Sequence, residues 1–375
     1  MVLLSSLPHE LLGQVFTECA SVWPDAPLVL GSVSHLFRHV ANTTPTVWTH
    51  LQLESASPVE KTALWFALSR ACRLRVRLDL RGAKNLPVPR HGHETQSCDG
   101  VFAALRAHTG RISAMELRVD DQGQAGKVLS KIYSGASPSA LGLRYLLVHA
   151  AKLKPTPQPL TLPVIPTIRD LDTTNIAIEA LQALDLAQLK RLRIVQPLVS
   201  TPLSADHVVD LMRATPNLRH LWLEARVAEP TSVETQLIPQ LEEVHIRANN
   251  LVPLLDRLVV PKLHNLYLDD MDGKRDGASE ESAAVLHRLL VRMELGRGDV
   301  TDNALREFEL VGVQVDQDTE MWQRCMQKMK VLESFTVNSA TESDMEEEYI
   351  PPPVSIEPLK RPFAFGFGWT GMESK

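Results

Sequence analysis

Cysteine and aromatic residues are scarce in this chain. Of 375 residues only four are cysteines, and 5% are aromatic. No Cys-x-x-Cys pair occurs, because the cysteines lie far apart at Cys19, Cys72, Cys98 and Cys325. Such spacing predicts free thiols and favours a cytoplasmic or nuclear location. Few aromatics and abundant leucine together favour helical or repeat packing over a β-sandwich.

Long apolar runs and excess positive charge are also lacking. No stretch approaches the roughly 20 apolar residues of a transmembrane helix, and the opening Met-Val-Leu-Leu-Ser-Ser has no basic leader of the kind that starts a secretory signal. The net charge is −6 and the pI is near 6.1, so the composition gives no reason to expect nucleic-acid binding. We therefore expect a soluble intracellular protein with no membrane or nucleic-acid partner.

Motifs that mark catalysis are lacking as well. The Gly-x-Gly-x-x-Gly string that begins at Gly366 has too few residues after it for the helix that would hold a pyrophosphate. His91 and His93 with Cys98 could ligate a metal, but a fourth ligand at suitable spacing is missing. We expect no enzyme activity and no cofactor. The alternative is an enzyme with an unmarked site, which would require a cleft with clustered acids or histidines.

Amphipathic helices are the first pattern that is present. Apolar residues at helical spacing mark one helix: Leu11, Leu12, Val15, Phe16 and Cys19. A second helix is predicted after Pro27, with the stripe Val29, Val33, Leu36, Phe37 and Val40. Thr44-Pro45 ends this helix and starts a short third turn. A unit of about 45 residues buries little apolar surface alone, so we expect it to complete its core against a partner or the rest of the chain.

These N-terminal residues resemble an F-box. The resemblance lies in Leu7-Pro8-x-Glu10-Leu11-Leu12, Val15-Phe16, Val33-x-x-x-Phe37-Arg38-x-Val40-Ala41 and Thr44-Pro45-x-x-Trp48. Phe37 stands where Trp is commoner in the family, and Ser34-His35 replaces the more usual Cys-Arg. The resemblance implies docking to the Skp-family adaptor of a cullin-RING ubiquitin ligase. It also implies the adaptor contacts, which map onto Leu7, Pro8, Leu11, Leu12, Phe16 and Trp48.

A second pattern, apolar-x-x-apolar-x-apolar, recurs along the rest of the chain. Eight copies begin at Ile112, Leu143, Leu189, Leu218, Leu241, Leu263, Leu305 and Leu332, and Ile168/Leu171 is a doubtful ninth. The intervals average about 27 residues, within the roughly 20–29 of leucine-rich repeats. Helices are predicted over 57–70, 101–108, 176–186, 205–213, 251–258, 280–295 and 320–329. The usual asparagine after each strand is mostly absent, so the repeats are degenerate.

The residues between the repeated leucines point away from the predicted core, because side chains alternate along a strand. We expect the strands to line a concave sheet that carries four candidate target-binding residues: Arg193, Trp222, His245 and Tyr267. A large exposed aromatic on a sheet is more often an interface anchor than decoration. The alternative is that a flanking loop covers each aromatic ring.

The predicted fold class is α/β, with a small N-terminal three-helix F-box followed by an irregular leucine-rich-repeat-like solenoid. The predicted segments are the F-box (1–55), a connecting helix, strand and loop (56–99), the solenoid (100–340), and an acidic, proline-rich tail with an aromatic C-terminus (341–375). The expected function is substrate recognition in a Skp-cullin-F-box ubiquitin ligase. Its partners would be the adaptor, through it the cullin, and an unknown target protein. The alternative is a non-ligase leucine-rich-repeat scaffold whose N-terminal helices cap the solenoid.

Overall fold

The structure is a computed structural model. It describes residues 7–54, 59–82, 94–135, 137, 141–153, 165–181, 184–197, 202–228, 235–249, 251–271, 278–297, 305–312, 319–329 and 331–338. His91, His93 and the expected tail 341–375 fall outside these residues, as does the side chain of Cys98. Within the described part of the chain, no helix has the length and apolar character needed to cross a membrane.

One parallel sheet dominates the fold. The strands in the described residues are β1 His50–Glu54, β2 Leu74–Asp79, β3 Ile112–Asp121, β4 Tyr145–Lys152, β5 Asp170–Thr174, β6 Arg191–Val195, β7 Leu203–Ser204, β8 His220–Ala225, β9 Val227–Ala228, β10 Gln236–Leu237, β11 Glu243–Ala248, β12 Leu258–Val259, β13 Asn265–Asp270, β14 Glu307–Val311 and β15 Ser334–Asn338. Eleven of them pair in chain order, β1-β2-β3-β4-β5-β6-β8-β11-β13-β14-β15. The four short strands form two separate pairs, β7 with β9 and β10 with β12.

Helices connect the strands and pack on one another. Those in the described residues are α1 His9–Val22, α2 Ala26–Val33, α3 His35–Thr43, α4 Val59–Leu68, α5 Glu94–Ala107, α6 Gln122–Tyr133, α7 Ile178–Leu181, α8 Ala205–Arg213, α9 Val252–Leu255, α10 Ala278–Arg297 and α11 Glu320–Lys328. A 3-10 turn, Pro45–Trp48, lies between α3 and β1. Contacts link α4 to α5, α5 to α6, α7 to α8, α8 to α9, α9 to α10 and α10 to α11. The chain is therefore a mixed α/β protein with a large parallel sheet.

The strands form where the repeated apolar pattern predicts them. All nine copies, including the doubtful one at Ile168/Leu171, supply a strand of the large sheet, and the pattern is confirmed as a strand signal. In β8, Leu221 and Leu223 are buried while Trp222 between them is partly exposed. This alternation buries one side of the sheet in a continuous apolar core. We call the other side, with its partly exposed residues, the open face.

Several element bounds differ from the predictions. The sheet begins at β1, within the segment 1–55, and so is longer than the repeat pattern indicated. The single helix predicted after Pro27 is two helices, α2 and α3. Ser34 between them is extended (φ −158°, ψ 165°), and its Oγ accepts a hydrogen bond from the Phe37 amide at 3.1 Å. That side-chain cap starts a new helix instead of continuing the old one.

Several predicted helix bounds also need correction. The helix predicted over 101–108 is α5, which begins at Glu94, inside the segment 56–99 whose end was predicted to be a loop. The helices predicted over 176–186 and 251–258 are the four-residue α7 and α9, and Leu258 belongs to strand β12. Helix α6 was not predicted, because two glycines interrupt its start. Its N-cap Asp121 accepts a hydrogen bond from the Gln124 amide at 3.0 Å, and the helix then buries Val128, Leu129 and Ile132.

Candidate interaction surfaces

One face of α1 belongs to the core of the chain. Leu12 and Phe16 are 0% and 2% exposed, and Ala20 continues the same line one turn later. This i, i+4, i+8 spacing keeps the three residues on one side of the helix. The Phe16 ring packs edge-on against Phe37 of α3, with ring centres 5.1 Å apart. The three N-terminal helices are held together by this buried face.

Trp48 fixes the helices to the sheet. It is 2% exposed, and its ring lies edge-on against Trp65 of α4 at 5.0 Å. Its Nε1 donates a hydrogen bond to the Ala41 carbonyl at 2.8 Å, and Trp65 Nε1 donates to the His50 carbonyl of β1 at 2.7 Å. Both indole donors are therefore satisfied inside the core. The N-terminal helices close the β1 end of the sheet.

A second face of α1 is apolar and exposed, and further apolar side chains are exposed on α2 and between the two helices. Of the twelve large hydrophobic side chains that are exposed among the described residues, seven lie within residues 11–33: Leu11, Val15, Val22, Trp23, Leu28, Val29 and Val33. We call these seven the apolar helix surface. Exposed apolar side chains concentrated in this way mark an interaction site more often than scattered single ones do.

The expected adaptor contacts divide between the two faces. Pro8 and Leu11 are exposed, Leu7 is half-buried, and three contact the chain's own core: Leu12, Phe16 and Trp48. The two faces separate because consecutive helical residues lie about 100° apart around the axis. Leu11 is 45% exposed and its neighbour Leu12 is fully buried.

The sequence contained a signal for this division. Leu12, Phe16 and Ala20 define one line on α1, and Leu11 with Val15 defines a second line one residue earlier. We predicted a single stripe that included both lines. The exposed residues Trp23 and Leu28 were not predicted, because they lie at the junction of α1 and α2, where helical spacing is interrupted.

The open face brings together the four predicted target-binding residues. Arg193, Trp222, His245 and Tyr267 are in register on neighbouring strands β6, β8, β11 and β13. The Trp222 and His245 rings stack at 3.5 Å with an angle of 7°, and the His245 and Tyr267 rings at 3.8 Å and 13°. The Arg193 guanidinium lies over the Trp222 ring, 5.4 Å from its centre. We call these four residues the ring ladder.

Charged groups hold the ring ladder in place. Arg193 Nη1 lies 3.1 Å from the Asp172 carboxylate on β5. Burial, aided by the positive charges of Arg193 and Arg247, lowers the pKa of His245 to about 3. The imidazole is therefore neutral at pH 7, which suits a ring stacked between two aromatic neighbours.

Trp222 carries an unsatisfied polar atom. Its Nε1 is buried and donates to no acceptor among the described residues. Leaving a buried donor without a partner costs about 1–3 kcal/mol. The faces of the indole are covered by Arg193 and His245, not by a separate layer of core side chains. Packing and hydrogen bonding therefore favour a plain apolar ring at position 222 over an indole.

The described residues place no group of three or more His, Cys, Asp or Glu side chains where it could hold a metal ion. Comparison of the chain with models of known protein families and with curated proteins finds no match. The geometry of the apolar helix surface and the ring ladder therefore carries the functional interpretation.

Proposed function

We propose that the chain is a substrate-recognition subunit of a Skp-cullin-F-box ubiquitin ligase. In this proposal the segment 1–55 is the F-box, and its helices dock the adaptor. The sheet and its helices form a degenerate leucine-rich-repeat solenoid that binds a target protein on the open face. The chain itself performs no bond chemistry. It holds the target near the ligase's other subunits, where the effective concentration is high.

The apolar helix surface is the observation that carries the proposal. The N-terminal helices already have a core and an anchor, so their stability gives no reason for seven further exposed apolar side chains. Covering one Leu or Val side chain completely contributes about 1.5–3 kcal/mol before the costs of association. Several such side chains suffice for a stable contact with a foreign subunit. Leu11 belongs both to this surface and to the residues matched by the F-box resemblance.

Side-chain hydrogen bonds between successive strand-containing repeats support the solenoid part of the proposal. Asn175 follows β5, and its Nδ2 donates to the Ala150 carbonyl of β4 at 2.7 Å. Asn249 follows β11, and its Oδ1 accepts from the Val227 amide at 2.7 Å. Gln196 follows β6 and donates from Nε2 to the Ile176 carbonyl at 3.0 Å. A polar side chain placed after a strand thus links one unit to the previous one, which is how stacked repeats share stability.

Binding of purified Skp-family adaptor to the full chain tests the proposal. The variant Leu11→Asp/Val15→Asp places two charges on the apolar helix surface without touching the buried face. Its matched control is Leu295→Asp/Val331→Asp, which charges two apolar side chains that are exposed elsewhere. We expect the wild type and the control to bind alike, and the first variant to bind about a hundredfold more weakly. Absence of wild-type binding, or equal binding by all three proteins, contradicts the proposal.

The second candidate function is a non-ligase scaffold. It is favoured by the contact of Trp48 with Trp65, through which the N-terminal helices close one end of the sheet. A cap needs that buried contact and gives no role to the exposed face of α1 and α2. A folded chain that does not bind the adaptor would support the scaffold.

A further inference from the structure

Charge is distributed unequally along the open face. On strands β1–β6, the three in-register rows of the open face carry five arginines and five carboxylates. On strands β8–β14, the same rows carry a single arginine, Arg247, and five carboxylates: Glu224, Glu243, Asp269, Glu307 and Glu309. With histidines neutral, the first part has no net charge and the second part has four net negative charges.

The one arginine does not neutralise the acidic part. Arg247 lies between two carboxylates, 3.5 Å from Glu224 and 3.1 Å from Asp269. Burial, together with the nearby Glu224, raises the pKa of Asp269. Crowding of carboxylates around one guanidinium is unfavourable for the isolated chain, and an added positive charge would relieve it.

The acidic residues lie beside the ring ladder. Tyr267 on β13 is in register with Glu309 on β14, and Glu307 occupies the row next to it. Aromatic side chains next to carboxylates fit the side chains of lysine and arginine, whose carbon stems lie on apolar surface while their charged ends reach an acid. The surface repels acidic segments and polyanions through the same charges.

We propose that the open face over β8–β14 binds a target segment rich in lysine and arginine. The inference concerns the site at which the proposed receptor holds its target, and in that sense it rests on the proposed function. Peptide binding to this face is nevertheless measured without the adaptor. A failure of one proposal is therefore distinguishable from a failure of the other.

The test selects binders for the full chain from a display library of random peptides of about twelve residues. The three strongest peptides are then titrated against the wild type, against Glu307→Lys/Glu309→Lys, and against the control Glu60→Lys/Glu281→Lys. The control makes the same change of charge at exposed positions on α4 and α10. Melting temperatures of the three proteins verify that each one folds.

We expect the selected peptides to be enriched in lysine and arginine. Their affinity falls about tenfold or more in Glu307→Lys/Glu309→Lys and stays within about twofold in the control. It also falls when salt is raised from about 50 to about 500 mM, because salt screens exposed charges. A library that yields no binders, selected peptides that are neutral or acidic, or equal affinity for all three proteins overturns the inference.

Discussion

The N-terminal helices and the open face of the sheet differ in how far their apolar side chains are covered by other side chains. On α1 and α2, Leu11, Val15 and Val33 are 45%, 43% and 63% exposed. On β8, β11 and β13, the rings of Trp222, His245 and Tyr267 cover one another. The helices thus leave apolar surface exposed to water, and in the proposed function the adaptor covers it. The ring ladder is already ordered before any partner arrives.

Truncation of a side chain on the buried face of α1 is expected to lower the stability of the chain more than any other change considered. Phe16→Ala removes a ring that packs on Phe37 and is 2% exposed. We expect a loss of about 3–5 kcal/mol in the free energy of unfolding, because the change leaves a cavity in the core. Denaturant titration monitored by circular dichroism measures it. A loss below about 1 kcal/mol would show that the N-terminal helices are not anchored as described.

Acidification tests whether the ring ladder is packed as described, because His245 belongs to it. Burial is the main cause that lowers the pKa of His245 to about 3 and the pKa of His50 to about 4, from 6.5 in the unfolded chain. Below pH 6.5 the unfolded chain therefore binds protons that the folded chain does not. The free energy of unfolding therefore decreases as the pH is lowered below 6.5, by up to about 1.4 kcal/mol per pH unit for each histidine.

The variant His245→Phe isolates the contribution of the ring ladder to this pH dependence. It keeps a ring in the stack and removes the titrating group, so we expect a shallower loss of unfolding free energy between pH 6.5 and pH 4. Denaturant midpoints across this range provide the measurement, and His39→Asn at an exposed position is the control. If the unfolding free energy of His245→Phe and of the wild type changed equally with pH, His245 would lie in water and not in a stack of rings.

Truncation within the ring ladder is expected to weaken peptide binding by at least about 1.4 kcal/mol, the equivalent of tenfold, and to lower the free energy of unfolding by a similar or smaller amount. Trp222→Ala removes a partly exposed ring, so we expect a loss of about 1–2 kcal/mol in stability. The affinity for selected peptides should fall about tenfold or more. Trp222→Phe keeps a stacking ring and removes the unsatisfied Nε1, and we expect its melting temperature to equal or exceed that of the wild type. A loss of more than about 2 kcal/mol in stability with unchanged peptide affinity in Trp222→Ala would make Trp222 a core residue.

Charging the apolar helix surface has the smallest expected effect on stability. Leu11 lies in the first turn of α1, where an aspartate is favoured by the helix dipole. We expect Leu11→Asp to change the free energy of unfolding by less than about 0.5 kcal/mol. The measurement compares the thermal melting of Leu11→Asp with that of Leu12→Ala. Leu12 is fully buried, so its truncation costs about 2–5 kcal/mol. Similar losses for both variants would remove the distinction between the two faces of α1.

Much of the sheet could be predicted from the sequence, because each strand repeats one apolar pattern. That pattern places Arg193, Trp222, His245 and Tyr267 at the same position of successive units, so their common row followed from the sequence. Their stacking did not follow, because it depends on side-chain rotamers and on strand spacing. Strand β1 was missed since it directly follows the Trp48 turn and was assigned to the helical module.

Prediction of the helical site was less complete for a physical reason. Apolar residues on α1 cover more than one side of the helix, and sequence periodicity does not say which side faces the core. The packing of α1 against Phe37 and against the Pro45–Trp48 turn decides this, and it joins residues from different segments. Leu12, Phe16 and Trp48 therefore face the core of the chain, and their contact with the adaptor stays a prediction that the resemblance implies.

Hydrogen exchange of the full chain with and without purified Skp-family adaptor shows most directly whether the adaptor covers the apolar helix surface. We expect the adaptor to slow the exchange of amides in α1 and α2 and to leave exchange in β8, β11 and β13 unchanged. Unchanged exchange in α1 and α2 at saturating adaptor, or protection confined to the sheet, would contradict the proposal.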